Sequence, residues 1–165
     1  MSIEYLELKE EDLPVVKEIY DYYVLNSTAT FHKVEVTIQE LKDSILINHP
    51  KYKSFIIRYN QTICGFCYIS QYKKREAYDR SAEITIYLKQ EYFGKGIGTQ
   101  TIKMLENAAF KHGIKVLIGI ISGDNQSSIK LFEKCGFEKC GHYNQVGEKF
   151  DKILDVVTYQ KILGE

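Results

Sequence analysis

The chain has 165 residues, of which 44% are apolar and 27% are charged, as in an ordinary globular domain with a core large enough to fold unaided. Lys and Arg together number 22, and so do Asp and Glu, so the formal net charge is zero. This balance argues against a dominant surface for nucleic acids or for anionic membranes. The longest apolar runs, such as residues 116–121, are far shorter than the roughly 20 residues that span a bilayer.

The first residues, MSIEYLELKEEDL, are acidic and lack the basic and apolar regions of a secretory signal. We therefore expect a cytoplasmic protein. No repeat, low-complexity tract or linker interrupts the sequence, so residues 1–165 are expected to form a single domain.

Hydrophobic periodicity predicts the elements of the first third of the chain. Alternating apolar residues predict a strand at 3–8. Apolar residues spaced three and four apart predict an amphipathic helix at 11–25 and another at 38–48, which ends near His49-Pro50.

A β-hairpin is predicted next, with strands at 54–59 and 62–72 joined by a turn at Asn60-Gln61. Another strand is predicted at 81–89. The helix that follows the glycines ends before Gly113, with basic residues in its last turn.

The last third alternates between strand and helix patterns. Its predicted elements are a buried strand at 115–122, a helix at 124–137 capped by Asp124 or Asn125 and stopped by Gly136, and strands at 137–146 and 153–162. The full order is β-α-α-β-β-β-α-β-α-β-β, which indicates a mixed α/β domain around one sheet.

Four cysteines, Cys64, Cys67, Cys135 and Cys140, raise the question of a metal or redox site. Because residues three apart in a strand point to opposite faces, we expect Cys64 and Cys67 not to share a metal or a disulfide. The spacing of the other two fits zinc motifs poorly. All four are therefore expected to be reduced structural thiols, with no metal site.

Three glycines, Gly94, Gly96 and Gly98, stand between a predicted strand and a predicted helix. The nucleoside-triphosphate P-loop pattern fails because Lys95 lies between the glycines, and the dinucleotide fingerprint fails because Thr99 stands where its third glycine belongs. Successive amides at a helix N-terminus suit a pyrophosphate. A glycine-rich turn without a ligand is the alternative.

Residues 91–114 (EYFGKGIGTQTIKMLENAAFKHGI) together with 124–137 (DNQSSIKLFEKCGF) resemble the acetyl-CoA-binding core of the GCN5-related N-acetyltransferases. A narrower likeness covers most of the chain. Residues 28–37, 75–88 and 146–156 look like the phosphinothricin and methionine sulfoximine N-acetyltransferase group. The resemblance implies the GNAT fold, with a mostly antiparallel mixed sheet flanked by about four helices, and acetyl-CoA as acetyl donor.

The resemblance also assigns residues to the cofactor. The pyrophosphate would be held by the amides of Gly94, Lys95, Gly96, Ile97, Gly98 and Thr99. The pantetheine arm would meet the backbone of Thr85, Ile86 and Tyr87 and, from the late helix, Asn125 and Ser128. Phe93 stands where the family loop usually begins with Arg or Gln, so one side-chain partner of the phosphate is missing.

Glu83 matches the carboxylate that serves as general base in the family. A base is useful because the attacking amine must be neutral. The alternative for Glu83 is an ordinary strand carboxylate paired with Arg75 or Arg80. Phe132 stands where the family commonly has Tyr, or His in this group, and it cannot donate a proton to the departing thiolate.

Arg75 and Tyr78 match positions that line the amino-acid pocket, and Phe31, Lys149 and Phe150 match other pocket positions more loosely. An Arg can bind a carboxylate with two parallel hydrogen bonds. The alternatives are a solvated charge for Arg75 and simple packing for Tyr78. The Trp that the group carries near its last strand is replaced around Ile153.

Taken together, the resemblance implies an acyltransferase that moves an acetyl group directly from acetyl-CoA to the α-amine of a small amino-acid analogue, of the phosphinothricin, methionine sulfoximine or sulfone type. Two alternatives remain. One is acetylation of a peptide or protein N-terminus, and the other is a non-catalytic module that binds acetyl-CoA. A homodimer is expected from the resemblance.

Overall fold

The computed structural model describes residues 2–164. Its helices and strands, in chain order, are β1 (Ile3–Glu7), α1 (Leu13–Asn26), α2 (Ile38–Ser44), β2 (Ser54–Tyr59), β3 (Thr62–Gln71), β4 (Ser81–Leu88), α3 (Ile97–Lys111), β5 (Val116–Ser122), α4 (Gln126–Lys134), β6 (Glu138–Lys149) and β7 (Lys152–Ile162). The predicted order of elements and the predicted fold class are confirmed.

A seven-stranded sheet runs in the order β1-β2-β3-β4-β5-β7-β6 and is antiparallel except between β4 and β5. Apolar side chains cover both faces of this sheet. One buried cluster includes Ile102 and Leu105 of α3, and the other includes Val16 of α1 and Leu41 of α2. The sheet therefore forms the middle layer of the domain, with helices packed on both of its faces, as expected of layered α/β domains.

The two parallel strands separate soon after they meet. They pair at only three positions, of which Glu83 opposite Ile118 is the last. From Ile84 onward β4 keeps its partner β3 on one side, while its other edge has no strand beside it. This separation opens a cleft between the carboxyl ends of β4 and β5.

Helix α2 is shorter than predicted. It begins with a capping box between Thr37 and Glu40 and ends at Ser44, well before His49-Pro50. Ile45 turns to extended backbone and buries its side chain in the cluster under α1 and α2. Burial of this one apolar residue ends the helix earlier than the proline rule indicated.

The last two strands form a longer hairpin than predicted. Strand β6 continues to Lys149, and the turn is made by Phe150 and Asp151 alone, which have φ angles of 53° and 57°. Two consecutive residues in the left-handed region are the geometry of a tight two-residue hairpin. Because neither residue is glycine, the sequence carried no signal for this turn.

The structure contradicts the prediction that Cys64 and Cys67 of β3 point to opposite faces of the sheet. The register between β2 and β3 shifts between Ile57 and Arg58, and Cys64 is the β3 residue left without a partner. Such a bulge resets the alternation of side chains, so Cys64 and Cys67 enter the same buried cluster. Both remain free thiols.

No group of three or more His, Cys, Asp or Glu side chains within residues 2–164 is arranged to hold a metal ion. In the same range, no helix combines the length and the apolar character required to cross a bilayer.

Candidate active site

The glycine loop takes the conformation that its sequence demands. Gly94 and Gly96 both have φ of 78°, and Gly96 is the residue from which α3 starts. A Cβ at either position would meet nothing within 4 Å. Glycine is therefore needed for the backbone angle, which L-residues adopt only with strain, and not to make room for a neighbouring side chain.

The backbone amides of this loop have no hydrogen-bond acceptor among the described residues. None of the amides from Gly94 to Thr99 donates a hydrogen bond to another group within residues 2–164, and the first that does is the amide of Gln100, which donates to the carbonyl of Gly96 at 3.2 Å. A row of free donors at a helix N-terminus is a site for an anion. The loop thus fits the pyrophosphate of coenzyme A.

Two neighbours shape the rim of this loop. At Gly98 a Cβ would lie 2.9 Å from Cδ2 of Leu131, so the missing side chain lets α3 pack closely against α4. Phe93 is 51% exposed and presents no polar group to a phosphate. Phe93 therefore offers a phosphate only its backbone.

The open edge of β4 can receive an extended ligand. Thr85, Ile86 and Tyr87 pair with β3 but not with β5, so the backbone groups on the β5 side are free. An extended chain can hydrogen-bond to such an edge as an additional strand. This fits a pantetheine arm lying in the cleft.

Asn125 lies at the start of α4, and its side-chain oxygen already accepts hydrogen bonds from the protein. Its Oδ1 accepts the backbone amide of Ser128 at 3.3 Å, and it also accepts the Ser127 hydroxyl at 3.1 Å. The side chain is therefore the N-cap of α4, as one of the two predicted caps. Only its amide nitrogen remains to reach a ligand.

Phe132 belongs to the core. It is 7% exposed and packs edge-on against Phe137 with ring centroids 4.9 Å apart. A Cβ on Gly119 would lie 2.5 Å from the Phe132 ring, so Gly119 makes room for it. At the position that commonly carries an acid in the family, this chain has a buried phenylalanine, which cannot donate a proton.

Glu83 lies half-buried in β4, opposite Ser70 of β3 and Ile118 of β5, at the point where the cleft opens. Within residues 2–164 it forms no ion pair with Arg75 or Arg80, so the interpretation as a paired strand carboxylate is wrong. Burial raises the pKa of Glu83 above its usual value. A carboxylate with a raised pKa and no counter-ion is suited to accept a proton.

Three of the predicted pocket residues come together at the end of the β6–β7 hairpin. Lys149 is 2% exposed and donates from Nζ to the carbonyl of Thr30 at 2.7 Å, and its Nζ lies 5.2 Å from the centroid of the Phe150 ring. The Phe31 ring lies against Gly147, where a Cβ would be 2.5 Å away. Burial lowers the pKa of Lys149.

Arg75 and Tyr78 lie elsewhere, in the exposed segment between β3 and β4. Tyr78 packs edge-on against Tyr72 with centroids 5.7 Å apart. Within residues 2–164 neither side chain makes a hydrogen bond, an ion pair or a ring contact with Glu83, Phe31 or Lys149. The guanidinium of Arg75 is free to bind an anion.

A set of hydroxyl groups beside β4 was missed by the sequence analysis. The Tyr20 hydroxyl lies 2.5 Å from Oγ1 of Thr30 and 2.5 Å from Nδ1 of His32. Tyr68 lies directly opposite Thr85 in the β3–β4 pairing, and burial raises the pKa of Tyr68 to about 12. With 13 tyrosines in the chain, no spacing rule marked these two.

Asp124 was considered only as a helix cap, yet it joins three segments. It accepts hydrogen bonds from Thr28 and Ser122, and Nζ of Lys152 lies 3.6 Å from its Oδ2. Partial burial opposes ionisation, but these donors outweigh it and lower the pKa of Asp124.

A cavity of about 260 Å³ lies between α1, α2 and β3, on the side of the sheet where Tyr20 and Tyr68 lie. It is lined by Tyr20, His32, Val36, Glu40, Leu41, Asp43, Ser44, Ile45, Phe66 and Tyr68. Tyr68 connects it to β4, because Tyr68 pairs with Thr85 and Thr85 is two residues from Glu83 on the same face.

The sequence model of the "Acetyltransferase (GNAT) family" matches residues 16–137. The chain belongs to this family. It is 30% identical over 159 residues to a phosphinothricin N-acetyltransferase of Streptomyces coelicolor, covering 93% of this chain and 92% of that relative. It is 26% identical over 151 residues to an L-methionine sulfoximine/L-methionine sulfone acetyltransferase of Pseudomonas paraeruginosa, covering 90% and 88%.

Among solved structures, the fold is similar to that of a GNAT superfamily phosphinothricin acetyltransferase from Sinorhizobium meliloti in complex with acetyl-CoA. The TM-score is 0.91 at 29% identity, with 100% of this chain and 90% of that chain covered. Family membership makes the protein an acyltransferase that uses acetyl-CoA.

Proposed function

We propose that the protein transfers the acetyl group of acetyl-CoA directly to the α-amine of a small amino-acid analogue, with Glu83 as general base. The observation that carries this proposal is the position of Glu83, unpaired and half-buried at the last contact between β4 and β5. The names of the relatives support an acceptor of the phosphinothricin or methionine sulfoximine type.

The chemistry requires a neutral amine. At pH 7 an α-amine with a pKa near 8 must lose its proton at a cost of about 1.4 kcal/mol. Glu83 would take that proton directly or through a water molecule. The backbone amide of Ile86 would stabilise the negative charge that develops on the thioester oxygen.

Loss of the coenzyme A thiolate needs no strong acid, because a thiolate is an acceptable leaving group near pH 8. Buried Phe132 is therefore compatible with turnover. No covalent intermediate is included, since the sequence contains no pattern of Ser or Cys with His that marks an activated nucleophile.

For the donor, the proposed contacts are the free amides of residues 94–99 with the pyrophosphate, the open edge of residues 85–87 with the pantetheine arm, and Asn125 and Ser128 with the same arm. The free donors and the unpaired strand edge support this assignment.

For the acceptor, Arg75 is proposed to bind the carboxylate through its free guanidinium, with Tyr78 beside it. Phe31, Lys149 and Phe150 are proposed to form the opposite wall. Lys149 donates one hydrogen bond to the protein, to Thr30, which leaves donors for a ligand. A single domain over residues 1–165, a homodimer and a cytoplasmic location stay predictions.

The test is release of coenzyme A from acetyl-CoA with a panel of amino-acid analogues and N-terminal peptides, with the acetylated product identified by mass spectrometry. We expect acetylation of methionine sulfone, methionine sulfoximine or phosphinothricin. Acetylation of peptides alone would replace this proposal by N-terminal protein acetylation. Tight binding of acetyl-CoA without turnover on any amine would replace it by a non-catalytic binding module.

A further inference from the structure

The cavity beside Tyr68 has an apolar floor. Val36, Leu41, Ile45 and Phe66, which line it, are each at most 5% exposed. A floor of this kind binds hydrocarbon groups and gains free energy by removing them from water.

The polar groups of the cavity are the carboxylates of Glu40 and Asp43, the imidazole of His32 and hydroxyl groups. Glu40 accepts the backbone amide of Thr37 at 3.0 Å, and Asp43 accepts from the amide of Gln39 at 3.1 Å. Both carboxylates are exposed to solvent, Glu40 in the first turn of α2 and Asp43 in its last, and these contacts do not neutralise their charge.

No Lys or Arg within residues 2–164 lines this cavity. The lysine of the same helix, Lys42, forms an ion pair with Glu10. An anionic group entering the cavity would therefore lose hydration and meet two negative charges without the fixed positive charge of a Lys or Arg. Each of these effects opposes binding.

The cavity is placed to receive the side chain of an acceptor whose amine lies near Glu83. Tyr68 forms part of its wall and lies directly opposite Thr85, which shares a sheet face with Glu83. Glu83 lies opposite Ser70, two residues along β3 from Tyr68, so Glu83 and Tyr68 are diagonal neighbours on one face of the sheet.

We propose that this cavity is the side-chain pocket of the acceptor site and that it selects amino acids with uncharged side chains over those with anionic ones. The proposal rests on the proposed function, since it concerns the same acceptor. It separates the two acceptor chemistries that the relatives' names leave open. A neutral sulfone or sulfoximine is accepted, and an ionised phosphinate is rejected.

Methionine sulfone and phosphinothricin are a matched pair for the test. Their side chains have the same length, the same methyl group and two oxygens on the tetrahedral atom, and they differ by one negative charge. We expect kcat/KM to favour methionine sulfone by about tenfold or more. Equal use, or a preference for phosphinothricin, would overturn the proposal.

The double variant Glu40→Gln with Asp43→Asn removes both charges. The amide oxygens can retain the bonds with Thr37 and Gln39. This variant should reduce the preference several-fold, mainly by increasing kcat/KM for phosphinothricin. The control is Glu18→Gln, an exposed position on α1 outside the cavity, which should leave the preference unchanged. A preference that survives in the double variant would contradict the role of the cavity.

A binding measurement keeps this test separate from the proposed function. In the presence of coenzyme A, methionine sulfone should raise the melting temperature and phosphinothricin should do so less. A shift with methionine sulfone but no acetylation of any amine would retain the pocket and reject the proposed reaction. No shift with either compound would overturn the pocket.

Discussion

The Thr28 hydroxyl donates to the carboxylate of Asp124, with Oγ1 2.9 Å from Oδ1 and 2.8 Å from Oδ2, although 96 positions separate the two residues. Asp124 precedes the cap of α4, whereas Thr28 follows α1 and leads into the segment with Thr30 and Phe31. This contact therefore joins the proposed coenzyme A side of the cleft to the proposed acceptor side.

Replacing Asp124 with Ala should lower the free energy of unfolding by about 1–2 kcal/mol at pH 7, because the donors of Thr28 and Ser122 lose a charged acceptor. The pKa of Asp124 is lowered in the fold. Its stabilising contribution is thus complete above the unfolded value near 3.9 and is lost as the pH falls through the folded pKa.

Urea unfolding at several pH values checks this prediction. The difference between the wild type and Asp124→Ala should shrink as the medium becomes acidic. The control is Asp79→Asn, an exposed carboxylate whose side chain has no partner within residues 2–164. A pH-independent difference would mean that lost packing, not lost charge, causes the effect.

Glu83→Gln should lower kcat by about 10²–10⁴-fold while leaving acetyl-CoA affinity nearly unchanged. The proton acceptor must be ionised, so wild-type kcat/KM should fall as the pH drops through the raised pKa of Glu83. Turnover equal to that of the wild type would remove Glu83 as base.

Glu83→Gln should lower activity, but it should not lower the stability of the fold at pH 7. Because burial raises the pKa of Glu83, ionising it costs free energy in the folded state, and stability is lost as the pH rises through the folded pKa. Glu83→Gln should therefore melt at the same temperature or higher at pH 7, and this gain should vanish below about pH 4. A lower melting temperature at pH 7 would argue that the carboxylate makes a stabilising contact.

Gly96→Ala should weaken acetyl-CoA binding more than Gly98→Ala does. At Gly96 the φ of 78° forces Ala into the left-handed region at about 1–2 kcal/mol, and any relief of that strain moves the loop amides. At Gly98 the conflict is with the flexible end of Leu131, at 2.9 Å. Isothermal titration with coenzyme A would measure both, and equal losses would contradict an amide cradle.

The cysteines should differ sharply in reactivity. Cys64 and Cys67 are buried, which raises the pKa of Cys64 to about 11 and that of Cys67 further, and Cys135 is half-buried with a raised pKa. Only Cys140 is exposed. Thiolates are the reactive form, so a thiol reagent should modify one thiol quickly in the native protein. Cys140→Ser should abolish that fast phase, and a second fast thiol would contradict the burial of the others.

Local sequence patterns were sufficient to predict several features of this structure. The turn at Asn60-Gln61, the glycine before α3 and the Asn125 cap all follow from preferences of a few neighbouring residues. Such preferences act over one turn of chain and can be recognised without knowing what packs nearby. The family resemblance added the assignment of Glu83 and the glycine loop.

Other features depend on contacts between distant parts of the chain. The bulge at Cys64 depends on the register with β2, and the tight turn after Lys149 depends on the pairing of β6 with β7. The bond from Lys149 to Thr30 spans 119 positions. No window of sequence contains both partners of these contacts.

By itself, the sequence determined the order of elements and the glycine loop before α3, because these depend on periodicity and backbone freedom, whereas the choice of Glu83 as proposed base came from the family resemblance. The tertiary structure alone decided that Glu83 stands unpaired where β4 and β5 separate, and that the cavity near it is lined by carboxylates but by no Lys or Arg among the described residues. Charge balance in a pocket is a property of side chains that several elements bring together, and the specificity proposed here depends on that balance.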